Sequence, residues 1–259
     1  ILPAGRRLRP QDVGLAASIG HTELAVRAPL RVAVFSTGDE LREPGAPTPP
    51  GTVHDSNRYA LIALVKDLGA RVADMGILPD RYEPIRDALL GAAPAHDLLL
   101  CSGGMSTGEE DHVAKAVAEL GRLHFWRLAI KPGRPVALGQ IGRTPIVGLP
   151  GNPAAMMVTF MHFARPLVLG LGGSTELEPV AFRVRAGFAY RKKGRRREWL
   201  RARLTRGPDG APVAHRFPRE GAGILSSLVE SDGLVELAEE LTGFEAGDMV
   251  DFIPFNGLR

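Results

Sequence analysis

The sequence predicts an α/β fold, a three-layer and mostly parallel sheet over residues 31–172, followed by a small all-β domain over 173–259. Two observations carry this. From residue 31 to about 170, buried strand-like runs alternate with helix-patterned segments, the pattern of βα units wound into a sheet covered on both faces. After GLGG (170–173) the texture changes to short alternating segments separated by Gly, Pro and Asp.

Taken in order, residues 1–30 fit neither pattern and read as the tail of a preceding domain plus a linker. VAVFS (32–36) is a short buried strand. After a Pro/Gly loop, Asp55 or Ser56 can cap a helix that sets Leu61, Leu64, Val65 and Leu68 on one face, and Gly69 ends it. RVADM (71–75) is the next strand, Ile85 to Leu90 the next helix and DLLLC (97–101) a third buried strand. A helix from near Asp111 places Val113, Ala116, Val117 and Leu120 together. Strands follow around 123–130, 135–139 and 145–149. Pro153 suits the first turn of the last helix, which runs to Leu169, and Pro166 is expected to kink it. Segments around 180–190, 197–205, 212–216 and 233–237 supply the β domain.

Bulk properties narrow the class. The single cysteine, Cys101, excludes an internal disulfide framework and fits a reducing cytoplasm. AAMMVTFMHFARPLVLG is apolar, but His162, Arg165 and Pro166 interrupt it, so no membrane span is read there. The net charge of +3 is unevenly placed: residues 191–206 carry nine Lys/Arg against one Glu, leaving 23 basic and 28 acidic residues elsewhere. Such a stretch can bind nucleic acid or phosphate-rich partners. The plainer reading is a solvated strand whose Leu200, Ala202 and Leu204 alternate with Trp199, Arg201 and Arg203. No nucleic-acid motif accompanies the charge, so no nucleic-acid partner is expected.

Four unusual loops fall at the carboxyl ends of the expected strands, where open α/β sheets bind ligands. They are STGDEL (36–41), LPDRY (78–82), SGGMSTGEED (102–111) and GLPGNP (148–153). SGGMSTGEED lacks the terminal G-K-[ST] of a Walker A loop. Gly103, Gly104 and Gly108 nonetheless allow close backbone approach, and Ser102, Ser106 and Thr107 offer hydroxyls. Asp111 is either an N-cap or a carboxylate holding Mg²⁺, and the residues leave both open. Asp39 and Glu40 pose the same choice, and Asp80 suits a helix cap. In FWRLAIKPGRP, Arg127 and Lys131 would share one face of a strand, with Arg134 beyond the Pro132-Gly133 turn, grouping cations as an oxyanion requires. No HxH, HExxH or GxSxG pattern occurs, so zinc, iron and hydrolase-elbow chemistry lack a motif.

STGDEL, DSN (55–57), SGGMSTGEED, KPGRP and GLPGNP stand in the order seen in molybdopterin molybdotransferases, the family of MoeA and the gephyrin E domain. LPAGRRLRPQDVGLAASIG, GAGILSSLVESDGLVEL and GDMVDFIPF resemble that family too, so the likeness covers nearly the whole chain. The resemblance implies molybdenum cofactor biosynthesis, with molybdate inserted into adenylylated molybdopterin and AMP released. It implies Mg²⁺, with Glu40, Asp80 and Asp111 on the metal side and Arg127, Lys131 and Arg134 toward molybdate or phosphate. Thr37, Gly38, Ser102, Gly103, Gly104, Ser106, Gly108, Pro150, Gly151, Asn152 and Pro153 would shape the pterin and nucleotide pocket. It further implies a cytoplasmic homodimer joined through an elongated N-terminal region not present here, and a molybdopterin adenylyltransferase as partner. A non-catalytic scaffold and an adenylyltransferase are the alternative readings. The sequence departs from the family pattern where GNPAA stands for GNPVS, losing a hydroxyl at Ala155, and where KPGRP stands for KPGKP.

Overall fold

The structure, a computed structural model, describes residues 2–103 and 111–258. Its first sheet uses β1 (Arg31–Thr37), β4 (Arg71–Leu78), β5 (Leu98–Ser102), β6 (Gly121–Arg127), β8 (Pro135–Ile141) and β9 (Thr144–Leu149), in the order β4-β1-β5-β9-β8-β6. The small pair β2 (Leu41–Arg42) and β3 (Val53–His54) lies in the loop after β1. β4, β1, β5 and β9 are parallel, because α2 (Ser56–Asp67), α3 (Tyr82–Ala92) and α4 (His112–Leu120) lie in the connections between them. β6, β8 and β9 run antiparallel. A parallel pair needs a crossover of a dozen or more residues, and the turn at 142–143 between β8 and β9 is too short for one. The sheet is therefore mixed, with a parallel core and an antiparallel edge.

The parallel strands read as continuous apolar runs because both faces are covered. Ala33, Phe35, Leu99 and Cys101 pack with Ile85, Leu89, Val113 and Val117 of α3 and α4. Val32, Val34, Leu98 and Leu100 pack with Leu61 and Val65 of α2 and with Met156 and Phe160 on the last long helix. That helix comprises α5 (Pro153–Thr159), a π turn (Phe160–Ala164) and α6 (Arg165–Leu171). Pro166 has no N–H to bond the carbonyl four residues back, and the helix accommodates it with the π turn just before. By length and composition it is long and apolar enough to cross a bilayer, but 61% of that window is buried inside the chain. Its apolar residues serve the core. Residues before β1 contribute α1 (Pro10–Ser18), whose Asp12 binds Arg6 and Arg9.

The second sheet joins β7 (Ile130–Lys131), β10 (Phe182–Ala186), β12 (Arg197–Arg206), β13 (Pro212–Arg216), β14 (Gly233–Leu237) and β16 (Met249–Pro254). β13 pairs with both β10 and β12, which closes five of these strands into a ring around Val184, Leu200, Ala202, Val235 and Phe252. The pair β11 (Tyr190–Arg191) and β15 (Gly243–Phe244) and the short α7 (Ser226–Val229) complete this part. β7 lies in the connection between β6 and β8 of the first sheet, yet it pairs in parallel with β12. One excursion of the α/β chain thus forms the outer strand of the β part.

Two expectations need correction here. Arg127 and Lys131 do not share a strand face: Arg127 ends β6 in one sheet and Lys131 lies in β7 of the other. The chain breaks at Leu128 and Ala129, where Leu128 N donates to Arg134 O at 3.0 Å. β12 is also not simply solvated opposite its apolar face. Trp199, 4% exposed, packs with Ile130, Val158 and Met161, because the β part docks on the α5 helix there. Only farther along the strand do Arg203 and Arg206 reach solvent.

Candidate active site

β1, β5 and β9 all end at one edge of the first sheet, and their loops meet there. Gly103 N donates to Leu149 O at 3.2 Å. Gly103 has φ of 85°, and a Cβ on it would lie 2.4 Å from Thr37 O. Only glycine lets the loop after β5 cross the end of β1 this closely. A Cβ on Gly151 would stand 3.8 Å from Gly103 Cα, so the GLPGNP turn completes the contact.

Strand alternation divides this edge by face. On the side of α2 and α5 stand Ser36 and Ser102, register partners in β1 and β5. Asn57, in the first turn of α2, donates through Nδ2 to Ser102 Oγ and to Gly151 O, each at 2.8 Å. Gly151 O can only accept, so the amide orientation follows from chemistry. Asn57 Oδ1 and Ser36 Oγ remain buried without hydrogen-bond partners among the described residues. Buried acceptors left in this condition favour a polar ligand that satisfies them. On the side of α3 and α4, Thr37 Oγ1 donates to Asp80 Oδ1 at 3.2 Å. Asp111 caps α4, its Oδ1 accepting from Ala114 N at 2.9 Å. Burial, followed by the charge of Asp111, pushes the Cys101 thiol well above its ordinary range, so it is no nucleophile.

Asn57 is held in place by an ion cluster. Asp55 caps α2, accepting from Arg58 N at 3.1 Å and from Arg58 Nε at 3.0 Å. The guanidinium of Arg58 also binds Asp74 of β4 at 2.5 Å and Glu43 at 2.5 and 2.6 Å. Burial alone would lower the pKa of Arg58, but hydrogen bonds to Asp74 and Asp55 and the charges of Asp74 and Glu43 raise it above the usual value. Arg58 is permanently charged and ties three segments behind the site.

The expected site residues Thr37, Gly38, Ser102, Gly103, Pro150, Gly151, Asn152 and Pro153 all belong to these converging loops. Asn152 precedes α5 and Pro153 opens it. Gly104, Ser106 and Gly108 lie outside the described residues, as do Glu109 and Glu110 and the side chain of Arg127. Asp80 is not a helix cap, since Arg81 holds that position and Asp80 serves Thr37 instead. Glu40 lies exposed in the turn between β1 and β2, with its carboxylate folded over Gly38, and not at a helix start. Glu40, Asp80 and Asp111 do not assemble a metal site: among the described residues no group of three His, Cys, Asp or Glu side chains is arranged to hold an ion. The described residues therefore do not fit a resident Mg²⁺.

The cations gather elsewhere. Between the KPGRP turn and the β ring is a cavity of about 570 Å³ whose wall includes Lys131, Arg134, Arg196, Arg201 and Arg216 against one acid among the described residues, Glu220. Gly133 seats the turn: its φ is 100°, and a Cβ there would lie 2.2 Å from Thr159 Oγ1 of α5. Lys131 Nζ donates to Tyr190 OH at 3.3 Å, and Tyr190 OH donates to Glu198 Oε2 at 2.7 Å. Burial and the bond to Glu198 push the Tyr190 phenol up to about 12. Arg201 donates to Gly221 O at 2.9 Å and Ser227 Oγ at 2.7 Å. Its pKa is lowered by burial and by the neighbouring charge of Arg216. Two crowded guanidiniums with a lysine nearby form a site that an oxyanion would stabilise.

This is the architecture of a molybdopterin-binding α/β domain carrying a MoeA-type β domain. Residues 33–170 match the family described as a probable molybdopterin binding domain, and 183–255 match the MoeA C-terminal region, domain IV. The chain belongs to the MoeA family. It is 34% identical over 259 residues to the molybdopterin molybdenumtransferase of Haemophilus influenzae, covering all of this chain and 64% of that protein. To the molybdopterin molybdenumtransferase of a Nostoc species it is 36% identical over 243 residues, covering 92% of this chain and 56% of the relative. The crystal structure of a molybdopterin biosynthesis MoeA protein from Pyrococcus horikosii superposes with a TM-score of 0.80 at 29% identity, over 97% of this chain and 61% of that one. The chain thus spans a little over half to nearly two thirds of these relatives.

Sequence reasoning missed Ser36, Asn57 and Arg58 as individual site residues, although DSN flagged the segment. It also missed Arg201 and Arg216. Arg201 was hidden in a basic run whose alternation suggested only a strand, and nothing local marked Arg216.

Proposed function

We propose that the protein containing this chain inserts molybdate into adenylylated molybdopterin and releases AMP. Residues 31–172 would be the molybdopterin-binding domain, 173–259 the C-terminal β domain and 1–30 the lead-in from a preceding domain. The observation that carries this reading is the cationic cavity, whose wall at Ala222 meets the start of α5 just after the GLPGNP turn, Ala154 N donating to Ala222 O at 2.8 Å. Lys131, Arg134, Arg201 and Arg216 would hold molybdate by charge-assisted hydrogen bonds. Asn57, Ser102, Gly103 and Gly151 would orient the pterin portion. The dithiolene sulfurs that take the metal come from the substrate, so the chain needs no cysteine cluster. Mg²⁺ belongs to the family resemblance, which names Glu40, Asp80 and Asp111 for it; the described residues do not gather these carboxylates, and no step is routed through it. The whole protein is proposed to act as a cytoplasmic homodimer that receives its substrate from a molybdopterin adenylyltransferase.

The test is AMP release by the full-length protein from adenylylated molybdopterin plus molybdate. Lys131→Ala and Arg201→Gln should each weaken molybdate use about tenfold or more, the scale of one lost charge-assisted contact. No AMP release by the parent protein would overturn the transferase reading. Ala155 favours a second reading, a molybdopterin-binding scaffold without turnover. It is buried, and its backbone carbonyl lies 3.4 Å from where a Cβ of Gly133 would sit, so this turn of α5 borders the KPGRP turn. Tight molybdopterin binding with no AMP release, and turnover gained by Ala155→Ser, would select that reading.

A further inference from the structure

The basic run contains a segment that the site does not use: the loop 192–195, KKGR, between β11 and β12. Its flanks stand in the cavity wall, Tyr190 on one side and Arg196 on the other. The neighbouring cations are matched: Arg191 with Glu245, Arg196 with Glu198, and Arg197 with Glu236 and Glu239. Lys192 braces the loop by donating to Arg196 O at 2.6 Å and Glu239 O at 3.3 Å. Lys193 and Arg195 are different. Both are exposed, and neither side chain makes a hydrogen bond or ion pair among the described residues.

The backbone adds an independent observation. Arg195 has φ of 69°, and it is the one non-glycine residue with positive φ among those described. Its N–H is fixed to Glu239 O at 3.0 Å. Glycine would occupy this left-handed position without strain. Arginine holds it at a conformational cost, and such outliers concentrate where function retains them. What arginine supplies there and glycine cannot is a charge.

We propose that Lys193 and Arg195 form an electrostatic collector that draws oxyanions into the cavity lined by Lys131, Arg201 and Arg216, raising the association rate without touching the bound anion. The inference rests on the proposed reading of that cavity as the molybdate site. Arg195 is one residue from the wall, about 3.8 Å along the chain. Charges within about 8 Å of one another interact with little screening at physiological salt. Unmatched charge at the mouth of a like-signed cleft focuses the field and accelerates encounter, an effect that falls steeply with ionic strength.

The experiment measures molybdate and pyrophosphate association with the full chain by stopped-flow tryptophan fluorescence, Trp199 being part of the cavity wall. The parent is compared with the Lys193→Gln/Arg195→Gln double variant at about 20 mM and about 500 mM salt, long and short screening respectively. The expected result is association about three- to tenfold slower in the variant at low salt, unchanged dissociation, and equal rates at high salt. An Arg203→Gln/Arg206→Gln variant removes two exposed cations of β12 that lie outside the cavity wall, and it should match the parent. Arg195→Lys should restore part of the rate. Equal low-salt rates in parent and variant, or an equal loss in the β12 control, overturns the collector. Salt-dependent capture of pyrophosphate but not molybdate supports the collector and rejects the molybdate reading. Capture of neither anion overturns both.

Discussion

Asn57 donates an amide hydrogen to Ser102 Oγ at 2.8 Å, fastening the first turn of α2 to the end of β5. Its second amide hydrogen goes to Gly151 O, so one side chain joins three chain segments at the ligand edge. Asn57→Ala should leave Gly151 O without this donor and cost about 1–3 kcal/mol of stability, the range for a buried unsatisfied group. Asn57→Asp should be worse at neutral pH, because a carboxylate oxygen would face the Gly151 carbonyl. Urea unfolding measures both. If Asn57 also orients substrate, KM for the pterin substrate should rise in the alanine variant more than kcat falls.

Arg58 is 2% exposed and Asp55 1%. Arg58→Met would strand the Asp55 carboxylate in the interior, and breaking a buried pair costs about 3–5 kcal/mol. Arg58→Lys should recover only part of this, since a single ammonium cannot meet Asp55, Asp74 and Glu43 from three directions. The check is the urea midpoint of both variants. A methionine variant as stable as the parent would contradict this role.

Gly103→Ala sets a Cβ 2.4 Å from a backbone carbonyl at a residue with positive φ. The left-handed conformation alone costs about 1–2 kcal/mol for a residue with a Cβ, and the clash must be relieved by moving the loop off Thr37. The expected outcome is a folded protein with a modest fall in Tm and a pterin affinity lower by about tenfold or more. Isothermal titration with molybdopterin tests it, and unchanged affinity would show that the loop crossing is not needed for binding.

His162 stacks on Trp199 with ring centroids 4.0 Å apart, where the helix meets the β ring. Burial, then the charges of Arg197 and Arg165, hold its pKa down to about 3. In the unfolded chain His titrates near 6.5. Between those values the unfolded state binds the extra proton, so stability from this group is present above about pH 6.5 and is lost as pH falls toward 3, with a limiting slope of about 1.4 kcal/mol per pH unit. His162→Phe keeps a ring against Trp199 and removes the titration. Its stability should therefore fall less steeply than the parent's as urea midpoints are taken from pH 7 to pH 4, and parallel profiles would remove His162 as the cause.

The extent to which the sequence was legible follows from which interactions are local. DLLLC and VAVFS are apolar on both faces, and Asp55 and Asp111 announce helix starts by their own capping bonds, so strand, helix and layer order could be read along the chain. The loops STGDEL, SGGMSTGEED and GLPGNP were recognisable because glycine and proline restrict the backbone wherever they stand. Short-range chemistry does not reveal where a loop travels. Arg127 and Lys131 looked like neighbours on one strand, but tertiary pairing sent Lys131 to β12. Asp80 looked like a cap until folding placed it beside Thr37.

By itself, then, the sequence determined the α/β-then-β architecture, the carboxyl-edge position of the loops and the family they belong to. Only the tertiary structure decided which charges meet. It brought Arg201 and Arg216 to Lys131, used Asn57 as the clasp between β5 and β9, and gathered no metal site from the expected carboxylates among the described residues. The physical reason is that periodicity and capping act over a few residues, whereas electrostatic grouping depends on separations that closure of the β ring sets.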